Sequence, residues 1–243
     1  MMLQQSMYMK HRITAHHTRN ERDMKYEVVE IFQSINGEGM KAGELAVFLR
    51  LKGCNLSCRY CDTTWANAED AECRKMDEEE ILDEIKQYKV RNVTVTGGEP
   101  LLRRGMRLLL TKLTEAGFYV EIETNGSVPL QEFAGISPKL SFTMDYKLGG
   151  SGMEDKMDTG NFSLLTKRDT VKFVVSDNRD MERAYDVSKR FLSDGQCNLL
   201  ISPVFGEISL EEIVEFMKAH HWTEARMQLQ MHKIIWNPEK RGV

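Results

Sequence analysis

The chain has 243 residues, 41% of them hydrophobic and 29% charged, with a formal net charge of −4. That balance suits one α/β core in water and excludes a global basic field able to recruit nucleic acid. No apolar run approaches the roughly 20 residues needed to cross a bilayer, and five cysteines come without a secretory leader, so reduced thiols in the cytoplasm are expected.

Residues 1–23 lack apolar periodicity and read as a flexible N-terminal extension, in which His16 and His17 belong to a solvated arm rather than to a metal site. The folded domain is expected over 24–243. Residues 26–32 are β-branched and aromatic, hence a strand, and a glycine-rich loop follows over 35–43. Residues 46–51 form a second strand on which Phe48 and Arg50 share a face. Asp77 and Glu80 make a capping box for a helix over 77–88, with Ile81, Leu82, Ile85 and Tyr88 at helical spacing. A short buried strand over 92–96 is broken by Gly97-Gly98-Glu99-Pro100. The next helix carries Leu108, Leu109, Leu113 and Ala116 on its apolar face and stops at Gly117.

Further strands are predicted over 119–124, 140–146 and 170–175, the first ending in the turn pair Asn125-Gly126. Residues 147–169 are glycine-rich and only weakly helical. A helix over 180–192 spaces Met181, Ala184 or Tyr185, Ser188 and Phe191 along one side. A strand over 198–202 precedes a second capping box, Ser209 with Glu212, which opens a helix through Ile213, Phe216 and Met217. The last strand is expected over 226–231, followed by His232 and Lys233 as a strand-edge pair. Strand and helix alternate, which argues a parallel sheet. Residues 124–170 hold strands without long helices between them, so an incomplete, open TIM-like α/β barrel in a single domain fits better than a full eightfold one.

Cys54, Cys58 and Cys61 stand in the spacing C-x₃-C-x₂-C, which turns three thiolates toward one point from a single loop. Closely spaced cysteine thiolates of this kind hold iron–sulfur clusters. Cys73 and Cys197 lie farther along the chain, and their role is structural or nil. A [4Fe–4S] cube gripped at three corners keeps one iron open, as catalytic metal sites keep a free position. A structural zinc would ask for four closed ligands in paired knuckles, and disulfides fit an odd cysteine count poorly.

Carboxyl ends of parallel strands gather ligands, so the cysteine loop, Thr96 to Pro100, Glu123 to Gly126 and Ser137 to Lys139 are expected on one rim. Several of these residues also have plain structural readings. Arg50 suits a surface ion pair, Gly97-Gly98 a tight turn, Glu99 a turn carboxylate paired with Arg103, Glu123 a strand-edge charge and Thr63 a loop cap.

The cysteine triple, together with Gly97-Gly98-Glu99-Pro100 after a strand, resembles the radical S-adenosylmethionine enzymes. Ser34-Ile35-Asn36-Gly37-Glu38-Gly39, Ala46-Val47-Phe48-Leu49-Arg50, Gly53-Cys54-Asn55-Leu56 and Cys61-Asp62-Thr63 narrow the resemblance to the 7-carboxy-7-deazaguanine synthase family of queuosine biosynthesis. Ser137-Pro138-Lys139 and His232-Lys233 extend it over roughly residues 24–243. Asn36 departs from the pattern, standing where glutamine is commoner, and the segment ending at Val243 is longer than in some members.

The resemblance implies a partial barrel of the radical S-adenosylmethionine type, with Cys54, Cys58 and Cys61 on a [4Fe–4S] cluster. It implies that Tyr60, Cys61, Asp62, Gly98, Glu99, Ser137, Pro138 and Lys139 bind S-adenosylmethionine and that Thr63 gives its hydroxyl to Mg²⁺. Mg²⁺ takes oxygen ligands and keeps waters, so one hydroxyl plus substrate oxygens suffices. Ile35, Asn36, Gly37, Glu38, Arg50 and Thr96 would hold the substrate, 6-carboxy-5,6,7,8-tetrahydropterin, with Arg50 on its carboxylate. The implied reaction is radical ring contraction with loss of ammonia, a carbon–nitrogen lyase step that needs no protein group as the radical source. A flavodoxin or ferredoxin as electron donor and a homodimer are further family habits. The competing readings are a glycyl-radical-enzyme activase, which would need no Asn36 or Arg50 contacts to a pterin, and a non-catalytic iron–sulfur or zinc module.

Overall fold

In the computed structural model the described residues, 24–238 and 240–243, build one nine-stranded sheet. In chain order the elements are β1 (Tyr26–Ile35), β2 (Leu45–Leu51), α1 (Thr64–Asn67), β3 (Arg74–Met76), α2 (Glu78–Gln87), β4 (Asn92–Gly97), α3 (Met106–Glu115) and β5 (Tyr119–Thr124). Then come β6 (Leu140–Tyr146), β7 (Thr170–Val175), α4 (Asn178–Phe191), β8 (Asn198–Pro203), α5 (Leu210–Ala219), β9 (Ala225–Met227) and α6 (Met231–Ile235). The expected N-terminal extension lies outside the described residues.

The strands run in the order β3-β1-β2-β4-β5-β6-β7-β8-β9, so the sheet is open between β3 and β9. From β2 through β9 every pairing is parallel, while β1 pairs antiparallel with both β2 and β3. The connections flanking β6 contain only short 3₁₀ turns, at Leu130–Glu132, Gly149–Ser151, Glu154–Lys156 and Thr159–Leu164, so no full helix covers that part of the sheet. This is the incomplete barrel that the sequence pattern predicts.

Period-two alternation divides the strands between a dry face and a wet one. Val47, Leu49, Val93, Val95, Val120, Ile122, Phe142, Met144, Val171 and Phe173 join Ile81, Leu109, Leu113, Met181 and Ile213 of the helices in one buried cluster. Burying each such Val, Leu or Ile contributes about 1.5–3 kcal/mol. The intervening residues Phe48, Arg50, Thr96, Glu123, Thr143, Asp145 and Lys172 line a cavity on the other face.

Helix starts follow their caps. Asp77 and Ser209 each form the expected capping box with the residue three positions on. Helix α4 begins at Asn178, earlier than the apolar spacing suggests, because the Asp177 side chain accepts from the Asp180 amide. On α3 the buried face is Met106, Leu109, Leu110, Leu113 and Thr114, and Ala116 is exposed at the C-cap rather than apolar lining.

The expected last strand is corrected. Pairing ends at Met227; the Gln228 amide still donates to the Ile201 carbonyl at 2.8 Å, and its side chain exchanges two hydrogen bonds with the Gly39 backbone, at 2.9 and 3.0 Å. Residues Met231–Ile235 then form a short helix, so His232 and Lys233 are helical, not a strand-edge pair. The three-residue strand β3, which the sequence pattern does not reveal, pairs with the start of β1, buries Met76 in the core and forks Arg74 onto Glu84.

Candidate active site

The loop after β2 brings Cys54, Cys58 and Cys61 onto the wall of a cavity of about 720 Å³ at the carboxyl ends of the parallel strands. Each thiol is half-buried and free of disulfides. Burial pushes the Cys54 and Cys58 thiols upward, and the neighbouring sulfurs push both in the same direction. Three mutually repelling thiolates call for a cationic centre. Among the described residues no three His, Cys, Asp or Glu side chains converge tightly enough for a single metal ion. A [4Fe–4S] cluster places each sulfur on a different iron, whereas a structural zinc asks for four ligands on one ion, so a set of three cysteines fits the cluster better than zinc. Thr63, at 3.7 Å from Cys61 Sγ, and Asn67 stand beside the third thiol, while Asn125 Nδ2 reaches Cys54 Sγ at 3.6 Å.

Several bonds hold this loop in place. The Arg59 backbone amide and Nε donate to the Ser151 and Gly150 carbonyls, both at 3.0 Å, and its guanidinium forks onto Glu207 at 2.8 and 2.6 Å. The Tyr60 hydroxyl donates to the Val174 carbonyl at 3.2 Å. The Gly97-Gly98 turn closes onto the loop's first residues, with the amides of Gly98 and Glu99 donating to Leu51 and Gly53. A Cβ at Gly98 would lie 2.0 Å from the Gly53 carbonyl oxygen, and at Gly97, where φ is +136°, 2.1 Å from that of Leu51. The paired glycines therefore permit close approach of two backbones. Both also line the cavity.

Glu99 does not pair with Arg103, which instead lies 3.9 Å from Glu27. Its carboxylate is buried at 1% exposure, accepts from the amides of Leu101 and Asn125 and from the Thr124 hydroxyl, and ties β4 to the end of β5. Burial pushes its pKa up against those donors. It supports the rim from beneath and does not face the cavity.

The inner wall is a chain of alternating charge. Lys172 Nζ lies 3.1 Å from Glu38 and 3.6 Å from Asp145, and Lys147 Nζ lies 2.9 Å from Asp145. Ser202 donates to Glu38 at 2.9 Å. Although burial alone would raise the Glu38 carboxyl, the Lys172 ammonium, the Ser202 hydroxyl and nearby His232 hold it below the ordinary range. Burial likewise opposes the charge on Lys172, and Glu38, Asp145 and Glu123 overcome it, raising its pKa well above normal. Glu123 accepts from the Thr96 hydroxyl at 2.6 Å and faces the cavity, not a strand edge. Arg50 donates through Nε to Glu30 at 2.7 Å, with the Phe32 and Trp65 rings each 5.9 Å from its guanidinium carbon.

Three lining residues, Asn67, Asp145 and Gln230, each carry a buried side-chain oxygen without a hydrogen-bond partner among the described residues. Orphaned acceptors are costly, about 1–3 kcal/mol each, and these three oxygens are packed behind the wall; the acceptors that the cavity presents are the carboxylates of its lining residues Glu38, Glu123 and Asp145.

The C-terminal segment closes one side. Met231 N donates to the Gly37 carbonyl at 3.0 Å, Lys233 approaches Asp62 of the cysteine loop at 3.9 Å, and the Arg241 guanidinium lies 4.2 Å from the Trp65 ring centroid. Gln230, His232, Lys233, Arg241 and Val243 all line the cavity.

The structure thus brings together Cys54, Cys58, Cys61, Tyr60, Asp62, Thr63, Gly98, Ile35, Gly37, Glu38, Arg50 and Thr96. Asn36 stands just behind the wall, buried, its Oδ1 accepting from Thr94 at 2.8 Å. Ser137, Pro138 and Lys139 do not share the rim. They precede β6, whose Leu140 pairs with Val120 at the amino end of β5, and Lys139 O accepts from the Val120 amide. A parallel strand separates its two ends, so these three residues occupy the opposite edge. Asp145, Lys147 and Lys172 are the wall residues that sequence reasoning missed. Their signal was present: Thr143, Asp145 and Lys147 alternate with the apolar Phe142, Met144 and Tyr146. Cys73 and Cys197 lie off the cavity wall.

Residues 49–142 match the family described as the Radical SAM superfamily. The 7-carboxy-7-deazaguanine synthase of Clostridium acetobutylicum is 54% identical, over 90% of this chain and 100% of that protein. The one from Leptospira interrogans is 35% identical, over 91% and 99%. Among solved structures, QueE from Escherichia coli superposes with a TM-score of 0.68 at 26% identity, over 86% of this chain and 96% of that one. SuiB of Streptococcus suis shares the fold, with a TM-score of 0.52 at 14% identity over 73% of this chain and 46% of that one.

Proposed function

This chain belongs to the 7-carboxy-7-deazaguanine synthase family, enzymes of the radical S-adenosylmethionine type, and from that premise we propose how its cavity performs the reaction. The substrate is 6-carboxy-5,6,7,8-tetrahydropterin, contracted to 7-carboxy-7-deazaguanine with loss of ammonia in a lyase reaction of queuosine biosynthesis. The observation that carries this reading is the meeting of three cysteine thiols, the Arg50 guanidinium and the hydrogen-bond acceptors Glu38, Glu123 and Asp145 in one cavity. A carboxylated pterin is anionic at one end and rich in N–H donors at the other, which matches that wall. A glycyl-radical activase or a non-catalytic metal module would leave Arg50 and those acceptors without a use, and the identity to named synthases speaks against both.

Cys54, Cys58 and Cys61 would hold a [4Fe–4S] cluster, with Tyr60, Asp62 and Gly98 beside the S-adenosylmethionine. Bound there, the pair would supply the electron and the hydrogen-abstracting radical. Lys147, close enough to Cys58 to influence its thiol, adds a cation to that end of the cavity. Ser137 to Lys139, at the opposite edge, have no part in this scheme, and Glu99 acts from beneath by fixing the turn. Arg50 holds the substrate carboxylate, and Thr63 together with substrate oxygens and water would hold Mg²⁺. Ile35, Gly37, Glu38 and Thr96 flank the ring, and Asn36 braces them from behind. Residues 230–238 and 240–243 shield the site from water.

The working setting follows the family: a homodimer in the cytoplasm, reduced by a flavodoxin or ferredoxin. No helix among the described residues is long and apolar enough to cross a membrane. The decisive test is anaerobic reconstitution and reduction, then turnover of the carboxytetrahydropterin with and without Mg²⁺. Release of 7-carboxy-7-deazaguanine and ammonia is expected; because the substrate loses only NH₃, the hydrogen taken from it is returned, and S-adenosylmethionine should not be consumed in proportion to product. Cleavage of S-adenosylmethionine with the pterin left intact would overturn the substrate assignment.

A further inference from the structure

We infer that Glu30 is a positioning residue that presents Arg50 to the substrate carboxylate, an inference that rests on Arg50 being the carboxylate's receptor. The two residues stand directly opposite each other across the antiparallel β1–β2 pair. A register shift between Val28 and Glu30 makes this possible. Tyr26 and Val28 are buried in the core, and strict alternation would send Glu30 there too. The bulge reverses the phase, so Glu30 and Phe32 face the cavity while Ile31 takes the core position. Bulges of this kind re-aim side chains beside functional sites.

The consequence lies in the guanidinium's geometry. Glu30 Oε1 accepts from Arg50 Nε, and among the described residues the two terminal nitrogens have no protein acceptor. Phe32 and Trp65 flank the guanidinium, and the pair is mostly shielded from solvent, at 16% and 22% side-chain exposure. The end of the fork is the part left for a ligand, and a carboxylate binds that edge through two parallel N–H bonds. Glu30 also offsets the Arg50 charge, so recognition depends on fork geometry more than on net attraction.

The test compares Glu30→Ala, Glu30→Asp, Glu30→Gln and Arg50→Lys in the reconstituted enzyme. Readouts are KM and kcat for turnover, and dissociation constants for 6-carboxypterin and for pterin without the carboxyl group. Glu30→Ala should raise KM about tenfold with kcat changed less than about twofold, and should weaken only the carboxylated pterin. Glu30→Asp, whose shorter carboxylate withdraws from Nε, should move the same way, covering the case in which the alanine variant does not fold. Glu30→Gln keeps an acceptor for Nε and should restore most of the affinity. In an Arg50→Lys background Glu30→Ala should add nothing further. Equal weakening of both pterins, or Glu30→Gln as poor as Glu30→Ala, would overturn the inference. If Arg50→Lys leaves the preference for the carboxylated pterin intact, the Arg50 reading itself fails. If Arg50→Lys abolishes that preference and the Glu30 variants keep it, the role of Glu30 alone fails.

Discussion

The imidazole of His232 fills the space where a side chain at position 37 would begin: a Cβ on Gly37 would lie 2.1 Å from Nδ1. Gly37 is therefore required for contact, not for an unusual backbone angle. Gly37→Ala should push α6 off the loop at a cost of about 1–3 kcal/mol and lower kcat/KM by about tenfold or more. Adding His232→Gly should recover the stability lost. Urea unfolding and turnover of the two variants check this, and an alanine variant as stable and active as the parent would contradict the packing described.

At Gly98 the obstruction is backbone, which has little freedom to yield. Gly98→Ala should displace the start of the cysteine loop, so iron retained after anaerobic reconstitution should fall together with stability, the latter by about 1–3 kcal/mol. Iron content and cluster absorbance equal to those of the parent would show that the turn tolerates a side chain.

The Glu38–Lys172 pair should make stability depend on pH. Because Glu38 titrates lower in the folded chain, its contribution is fully present above the ordinary carboxylate pKa of 4.5 and is lost as pH falls through the lowered value. Glu38→Gln should cost about 3 kcal/mol at neutral pH, since it leaves a buried ammonium less well paired. The gap between parent and variant, measured by urea unfolding, should narrow on acidification from pH about 7 to about 3.5. A gap of constant size would remove the pair from the account.

Thr63 stands beside Cys61 on the cavity wall. Thr63→Ala should abolish the stimulation of turnover by Mg²⁺ and leave cluster absorbance unchanged. An unaltered Mg²⁺ dependence would place the ion elsewhere.

Much of the fold could be read in advance because it rests on local rules. The capping boxes at Asp77 and Ser209 and the apolar spacing of Ile81, Leu82 and Ile85 depend on near neighbours, and the structure bears them out. The boundaries that shifted depend on distant partners. The Gln228 side chain, at the end of β9, bonds Gly39, a residue far away in sequence, and no periodicity reveals that exchange. The site divides in the same way. The cysteine triple lies in one short loop, whereas the Glu38–Lys172–Asp145–Lys147 chain joins the glycine-rich loop, β6, β7 and the residue just after β6. Strand register decides that meeting, with Asp145 opposite Lys172. Ser137 to Lys139 show the converse error: a motif near a strand marks the rim only if it follows that strand.

The cavity wall is drawn from Glu30 near one end of the described chain to Val243 at the other. During synthesis the three cysteines would leave the ribosome long before the segment that covers them. Their thiols would stay open to iron donors, and equally to oxidants, until the segment bearing Met231, Lys233 and Arg241 emerged and docked. Delivery of the metal to this protein therefore has a natural window, between translation of the loop and arrival of its cover.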